Sequence, residues 1–239
     1  MERTGGDSMK ERLKTGCWTR WFRHGALFVV CLFLSSNWRL SAQGLPPPGP
    51  EWVPLFNGKD LTGWRIIGKE RWVVENGTIY GESVTLHGDG FLTTEKTYKD
   101  FDAYFEFRCE SPTNSGFFFH SSIEEDISKI RFIQVEIDNR IGRHTGGLHG
   151  DAISLKDSKG WIVWPAPENE TVIRPHDWNE MLVQVHGNRI RTRLNGVQMI
   201  DFTYPNPRNT DGVIALQLHP GGGAKMRFRN LWIRDLTLR

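Results

Sequence analysis

The stretch FIQVEIDN, residues 132–139, sets Ile133, Val135 and Ile137 against Gln134, Glu136 and Asp138 in strict alternation. On a strand of period two, three apolar side chains take one face, and an amide and two carboxylates take the other. Just upstream, NSGFFFHS, residues 114–121, alternates in the same way, with Phe117 and Phe119 opposite Phe118 and His120. Pairing of the two strands would place an imidazole and two carboxylates on one sheet surface, the inventory of an acid/base or sugar-binding site. Glu136 is the first candidate for a base, because a carboxylate on a partly desolvated sheet face has its pKa raised toward neutrality. His120 is the second, since imidazole titrates near working pH without help. Gln134 and Asp138 are expected to orient or bind. The plainer alternative is a solvated sheet face.

Other candidates stand downstream. RIRTRL, residues 189–194, puts Arg191 and Arg193 opposite Ile190, Thr192 and Leu194, and either guanidinium is suited to hold an oxyanion or a pair of sugar hydroxyls. Gln217 and His219 alternate with Leu216 and Leu218 and extend a polar face. The Gly-rich stretch 139–170 carries His144, His149, Asp151, Trp161 and Trp164. A connection that long in a compact domain is usually functional, and His149 and Trp164 are expected to cover a ligand. Glu136, His120 and His219, with Asp138, are suitable ligand types for a catalytic divalent metal, and a structural calcium is the other metal option; no contiguous ligand motif is present. Structural roles compete throughout. Glu136 and Arg193 also suit a cross-strand ion pair, His120 a hydrogen-bonded strand histidine, His144 a solvated loop residue, and Trp161 and Trp164 packing positions.

The elements that must position these groups are strands. Period-two candidates are 72–74, 78–80, 91–93, 103–108, 116–120, 132–137, 179–186, 189–194, 197–202, 213–218 and 224–235. The turns between them include Glu75-Asn76-Gly77, Gly187-Asn188 and Asn195-Gly196. No run of ten or more residues has a helical period, so the expectation is an all-β sandwich.

The N-terminal segment reads as an export signal. Lys10, Arg12, Lys14, Arg20 and Arg23 precede the short apolar run 25–36, and Leu40-Ser41-Ala42 suits cleavage. Residues 1–42 are therefore assigned to the signal, 43–50 to a Pro-rich linker containing LPPPGP, and 51–239 to one domain. Retention of the leader as an anchor is the alternative, although its apolar run is short for a bilayer. The expected location is periplasmic or extracellular, with no stable membrane span after cleavage. Of 30 Lys and Arg and 28 Asp and Glu, the segment beyond residue 42 keeps 23 and 25, a net charge of −2. That balance gives no footprint for nucleic acid. Cys109 stands alone beyond the leader, which excludes an intrachain disulfide and a cysteine-based zinc site there.

Eight segments in order carry a family resemblance: PLFNGKDLTGW (54–64), WVVENGTIYG (72–81), FLTTEKTYKDFDAYFEFR (91–108), NSGFFFHS, VEIDN (135–139), TGGLHG (145–150), WNEMLVQVHGNRIRTRLNGVQMIDF (178–202) and GVIALQLHPGGGAKMRFRNLWIRDL (212–236). Together they resemble the 3-keto-disaccharide hydrolase family, also described as 3-keto-glucoside lyases and 3-keto-glucal hydratases. The resemblance implies a concanavalin A-like jelly roll of two curved antiparallel sheets, with saccharide bound on the concave sheet. It also implies cleavage or hydration of 3-keto-glycosides by β-elimination across C1–C2, with a partner oxidoreductase supplying the 3-keto group. A noncatalytic, lectin-like carbohydrate-binding module is the alternative. The chain differs from many relatives at His120, in the order Gln134-Val135-Glu136, and at His149 and Leu218.

Overall fold

The computed structural model describes residues 49, 51–123, 126, 129–152 and 160–237; the signal and most of the linker assigned above lie outside them. One sheet contains β1 (Val53–Pro54), β3 (Arg71–Glu75), β4 (Thr78–Glu82), β6 (Phe101–Cys109), β11 (Asn179–His186), β12 (Arg189–Leu194), β13 (Val197–Thr203) and β15 (Lys225–Asp235). Its order is β13-β12-β11-β6-β15-β4-β3, with β1 also on β15. The other sheet contains β2 (Trp64–Ile67), β5 (Gly90–Tyr98), β7 (Asn114–Ser122), β8 (Arg131–Asp138), β9 (Leu148–Ala152), β10 (Trp161–Val163) and β14 (Gly212–Leu218). They run in the order β10-β9-β8-β7-β14-β5-β2. Neighbours pair antiparallel throughout, as in β7–β8, β8–β9 and β14–β5. A 3-10 turn spans Asn169–Val172, and among the described residues no helix is long and apolar enough to cross a membrane.

All eleven expected strands form. Asn76-Gly77 and Asn195-Gly196 turn with positive φ at both positions, the backbone that two-residue hairpins require. The expectation of a long loop over 139–170 is corrected, because β9 and β10 lie inside it and extend the second sheet. Their strands are three to five residues long, too short to show a period against the surrounding glycines.

The core lies between the sheets. Ile133, Val135, Ile137, Phe117 and Phe119 from one sheet are fully buried with Phe105, Phe107, Met181, Val183 and Phe228 from the other. Phe105 of β6 stacks on Phe117 of β7, 4.9 Å between centroids and 14° between planes. Burying such a ring contributes about 1.5–3 kcal/mol, so this contact ties the two layers together. A second cluster, including Phe91, Phe118 and Phe132, occupies the opposite face of the β2-to-β10 sheet.

Candidate functional site

That opposite face carries the polar row. Glu136 pairs in register with Gly116 of β7, Phe117 with Leu216 of β14, and Gln217 with Phe91 of β5. Glu136, Gly116, Gln217 and Phe91 therefore form one line across four strands. The adjacent line runs from His149 through Gln134 and Phe118 to Ala215. Phe118 lies edge-on to Phe91 at 5.2 Å and tilted on Phe132 at 4.9 Å, an apolar floor beside the polar line. Above it opens a cavity of about 330 Å³, lined also by Asp89, Asn114, Trp161 and His219.

Gly116 is what lets the row assemble. A Cβ there would lie 2.8 Å from Cδ and Nε2 of Gln134, so only glycine leaves this amide its place. Gln134 Nε2 then donates to Glu136 Oε2 at 2.9 Å, and Asn114 Nδ2 donates to the other carboxylate oxygen. Burial pushes the Glu136 pKa up to about 8, and the neighbouring Asp138 charge adds to this; the Asn114 hydrogen bond and Arg140 oppose it. Asp138 itself is held by Arg140, with Nε at 2.8 Å and Nη2 at 2.5 Å. Its backbone N–H donates to Thr145 Oγ1 at 2.9 Å.

The far wall is built by the turn before β5. The Glu70 carboxylate is buried and accepts hydrogen bonds from Ser83 Oγ, the Val84 and Thr85 N–H groups and Thr85 Oγ1, which fixes the chain leading to Asp89. A Cβ on Gly90 would meet Glu70 Cγ at 2.3 Å, so this approach also needs glycine. Gln217 Nε2 donates to Asp89 Oδ1 at 2.8 Å. Burial raises the Asp89 pKa, with Glu70 adding and His219 and Gln217 opposing. Burial lowers that of His149.

The sequence profile of the 3-keto-alpha-glucoside-1,2-lyase-like domain matches residues 51–234. The chain belongs to that family. A 3-keto-disaccharide hydrolase from Bacteroides thetaiotaomicron is 32% identical over 84 residues, covering 31% of this chain and 29% of that protein. The chain thus matches under a third of that relative's length. Among solved structures, a candidate glycosyl hydrolase from Parabacteroides distasonis superposes with TM-score 0.59 at 22% identity, covering 78% of this chain and 94% of that one. The carbohydrate-binding module CBM66 from Bacillus subtilis gives TM-score 0.54 at 14% identity, covering 72% and 96%. At such identities these two likenesses establish the shared fold, a concanavalin A-like jelly roll.

Within this lyase-like domain, the expected site residues divide. Glu136, Gln134, Gln217, His149 and His219 share the cavity. Asp138 is not among the residues lining the cavity and is paired with Arg140. His120 does not join them. The β7–β8 register shifts between Phe119 and Ser122, and His120 has φ 48°, so the alternation breaks and its ring turns against Phe101 and Phe119. Its nitrogens meet the carbonyl oxygens of Lys99 at 2.7 Å and Asn209 at 3.2 Å, a structural setting in which burial lowers its pKa.

Arg193 is also corrected. It lies on β12 of the other sheet, beside Trp52, Tyr104 and Glu180 in a separate cavity of about 390 Å³. Trp164 is 55% exposed and tilts against His144 outside the cavity, whereas Trp161 lines it with its ring edge-on to His149 at 5.4 Å. His144 is not merely solvated: its backbone N–H donates to Glu170 Oε2 at 2.8 Å, and Nδ1 sits 2.9 Å from Oε1. The trio Glu136, His120 and His219 offered as metal ligands is not brought together, and among the described residues no group of three or more His, Cys, Asp or Glu is placed to hold a metal ion.

Asn114, Asp89 and Trp161 are the contributors that residue patterns did not select. Asn114 was legible, since counting back by two from Phe118 through Gly116 reaches it. Asp89, in the turn HGDG, has no periodic signal.

Proposed function

We propose that this chain cleaves 3-keto-glycosides by elimination across C1–C2, with Glu136 as the base. The observation that carries the reading is a buried carboxylate of raised pKa, held by two amides in a cavity with an aromatic floor, in a chain of the 3-keto-alpha-glucoside-1,2-lyase-like family. A carbonyl at C3 acidifies the C2 proton. Removal of that proton by Glu136 gives an enediolate, which expels the glycosidic oxygen from C1 without an oxocarbenium ion. A carboxylate whose proton affinity lies near working pH is better matched to this task than an ordinary one. The product is a 2-hydroxy-3-keto-glucal, and addition of water yields the free 3-keto sugar. Gln217, His149 and His219 are the groups offered to the sugar hydroxyls, and Trp161 packs at the cavity mouth.

The 3-keto group would come from an oxidoreductase acting on the parent glycoside. The basic and apolar segments of residues 1–42 support a site of action outside the cytoplasm. Incubation with 4-nitrophenyl 3-keto-glucoside is expected to release nitrophenol, and Glu136→Gln to slow release by about 100-fold or more. Saturable sugar binding with no turnover by the unaltered protein would identify a binding module instead.

A further inference from the structure

We propose that Asp89 is the second carboxyl group of this reaction, the acid that protonates the departing glycosidic oxygen as Glu136 takes the proton from C2. The inference rests on the elimination reading and assigns a role to a residue outside the alternating strands.

Three observations support it. Asp89 and Glu136 line the same cavity, one from the turn before β5 and the other from β8, with β14 and β7 between these strands. Gln217, only 6% exposed, donates to Asp89 through Nε2, while its Oε1 is buried with no hydrogen-bond partner among the described residues. Buried polar atoms almost always have partners, and this orphan acceptor belongs to a side chain that lines the cavity, so a ligand donor reaching it would complete its pairing. His149 Nδ1, on the same cavity, is orphaned in the same sense. The third observation is spacing. Asp89 is held over β14 by Gln217, and Glu136 over β7 by Asn114, and these strands are neighbours. Adjacent strands lie about 4.8 Å apart, so Gln217 and Asn114, the side chains that hold the two carboxyl groups, rise from strands one spacing apart.

The proton inventory closes on this pair. In the elimination, the C2–H bond breaks with its proton going to Glu136, and the C1–O bond breaks with its electron pair going to the aglycone oxygen. Asp89 donates its proton to that oxygen and becomes a carboxylate. In hydration, Asp89 accepts a proton from water as the water oxygen bonds to C1, and Glu136 returns its proton to C2. Both groups regain their starting states, and the net change is hydrolysis.

The test is a leaving-group series, because only a basic aglycone needs the acid. With the full chain, Asp89→Asn is expected to cut kcat/KM on methyl 3-keto-glucoside by about 100-fold or more, and on 4-nitrophenyl 3-keto-glucoside by only about threefold. Equal losses on both substrates, or none, would overturn the assignment while leaving elimination by Glu136 intact. Complete inertness of the unaltered protein on both substrates would instead overturn the elimination reading, and the Asp89 role with it. A measurement that needs no variant guards against misfolding: across aglycones of rising basicity the unaltered protein should lose less than about tenfold in rate, and a steep decline would show that no acid assists.

Discussion

At the scale of single residues, the decisive quantity is the proton on Glu136. The folded protein keeps it up to about pH 8, whereas an ordinary glutamate releases it near 4.5. Between those values the folded state binds a proton that the unfolded chain has lost, so its contribution to stability is full below about 4.5 and falls as pH rises through about 8. Asp89, shifted in the same direction, adds to this slope. Glu136→Gln removes its share, and the melting-temperature gap between variant and parent should move in the variant's favour from pH 4 to pH 9; parallel pH profiles would contradict the buried-carboxylate account. Activity should move oppositely, since a base must be ionised, and the rate on a nitrophenyl substrate should climb through about pH 8. Glu136 and Gln134 were legible because alternation alone puts them on the face away from Ile133 and Val135. Asp89 was not, because its position depends on the remote Glu70 clamp on residues 83–85, which no local pattern records.

At the scale of elements, the β7–β8 pair decides which side chains meet. Gly116 is the gap through which Gln134 reaches Glu136, so Gly116→Ala should displace the amide. Overpacking of this kind costs about 1–3 kcal/mol, and the loss should appear in kcat more than in KM, because a positioning contact is removed and the sugar contacts are kept. An unchanged kcat would show that the amide does not position the base. His120 shows where period-two counting stops. The count holds from Asn114 to Phe119, and the bulge then moves the imidazole off the polar face, a tertiary adjustment that a run of FFFHS does not announce. The strands β9 and β10 escaped for a different reason: Leu148 and His149 pair with β8 on one side and β10 on the other, and pairing, not propensity, makes them strands.

At the scale of the whole molecule, the two sheets divide the labour. The β2-to-β10 sheet carries the candidate site on its outer face, while Arg193 belongs to a cavity on the other sheet. Arg193→Ala should therefore leave kcat/KM within about twofold of the parent, and a large loss would place the reaction on the wrong sheet. Phe105→Ala, which removes the ring stacked on Phe117, should cost about 3–5 kcal/mol by urea unfolding, since it opens a cavity at the junction of both layers. The fold was the most legible level because it needs only apolar alternation repeated over eleven strands; which residues share a cavity depends on strand order, and that is set by pairings far apart in sequence. The bulge at His120 has a further consequence. Sliding a strand by one residue exchanges its two faces, so a single insertion or deletion near Phe119 can retire a side chain from the cavity, or recruit one, without substituting any residue. Members of this family should accordingly be aligned by the face each residue presents, because two chains can hold the same letter in one column and use it on opposite sides of the sheet.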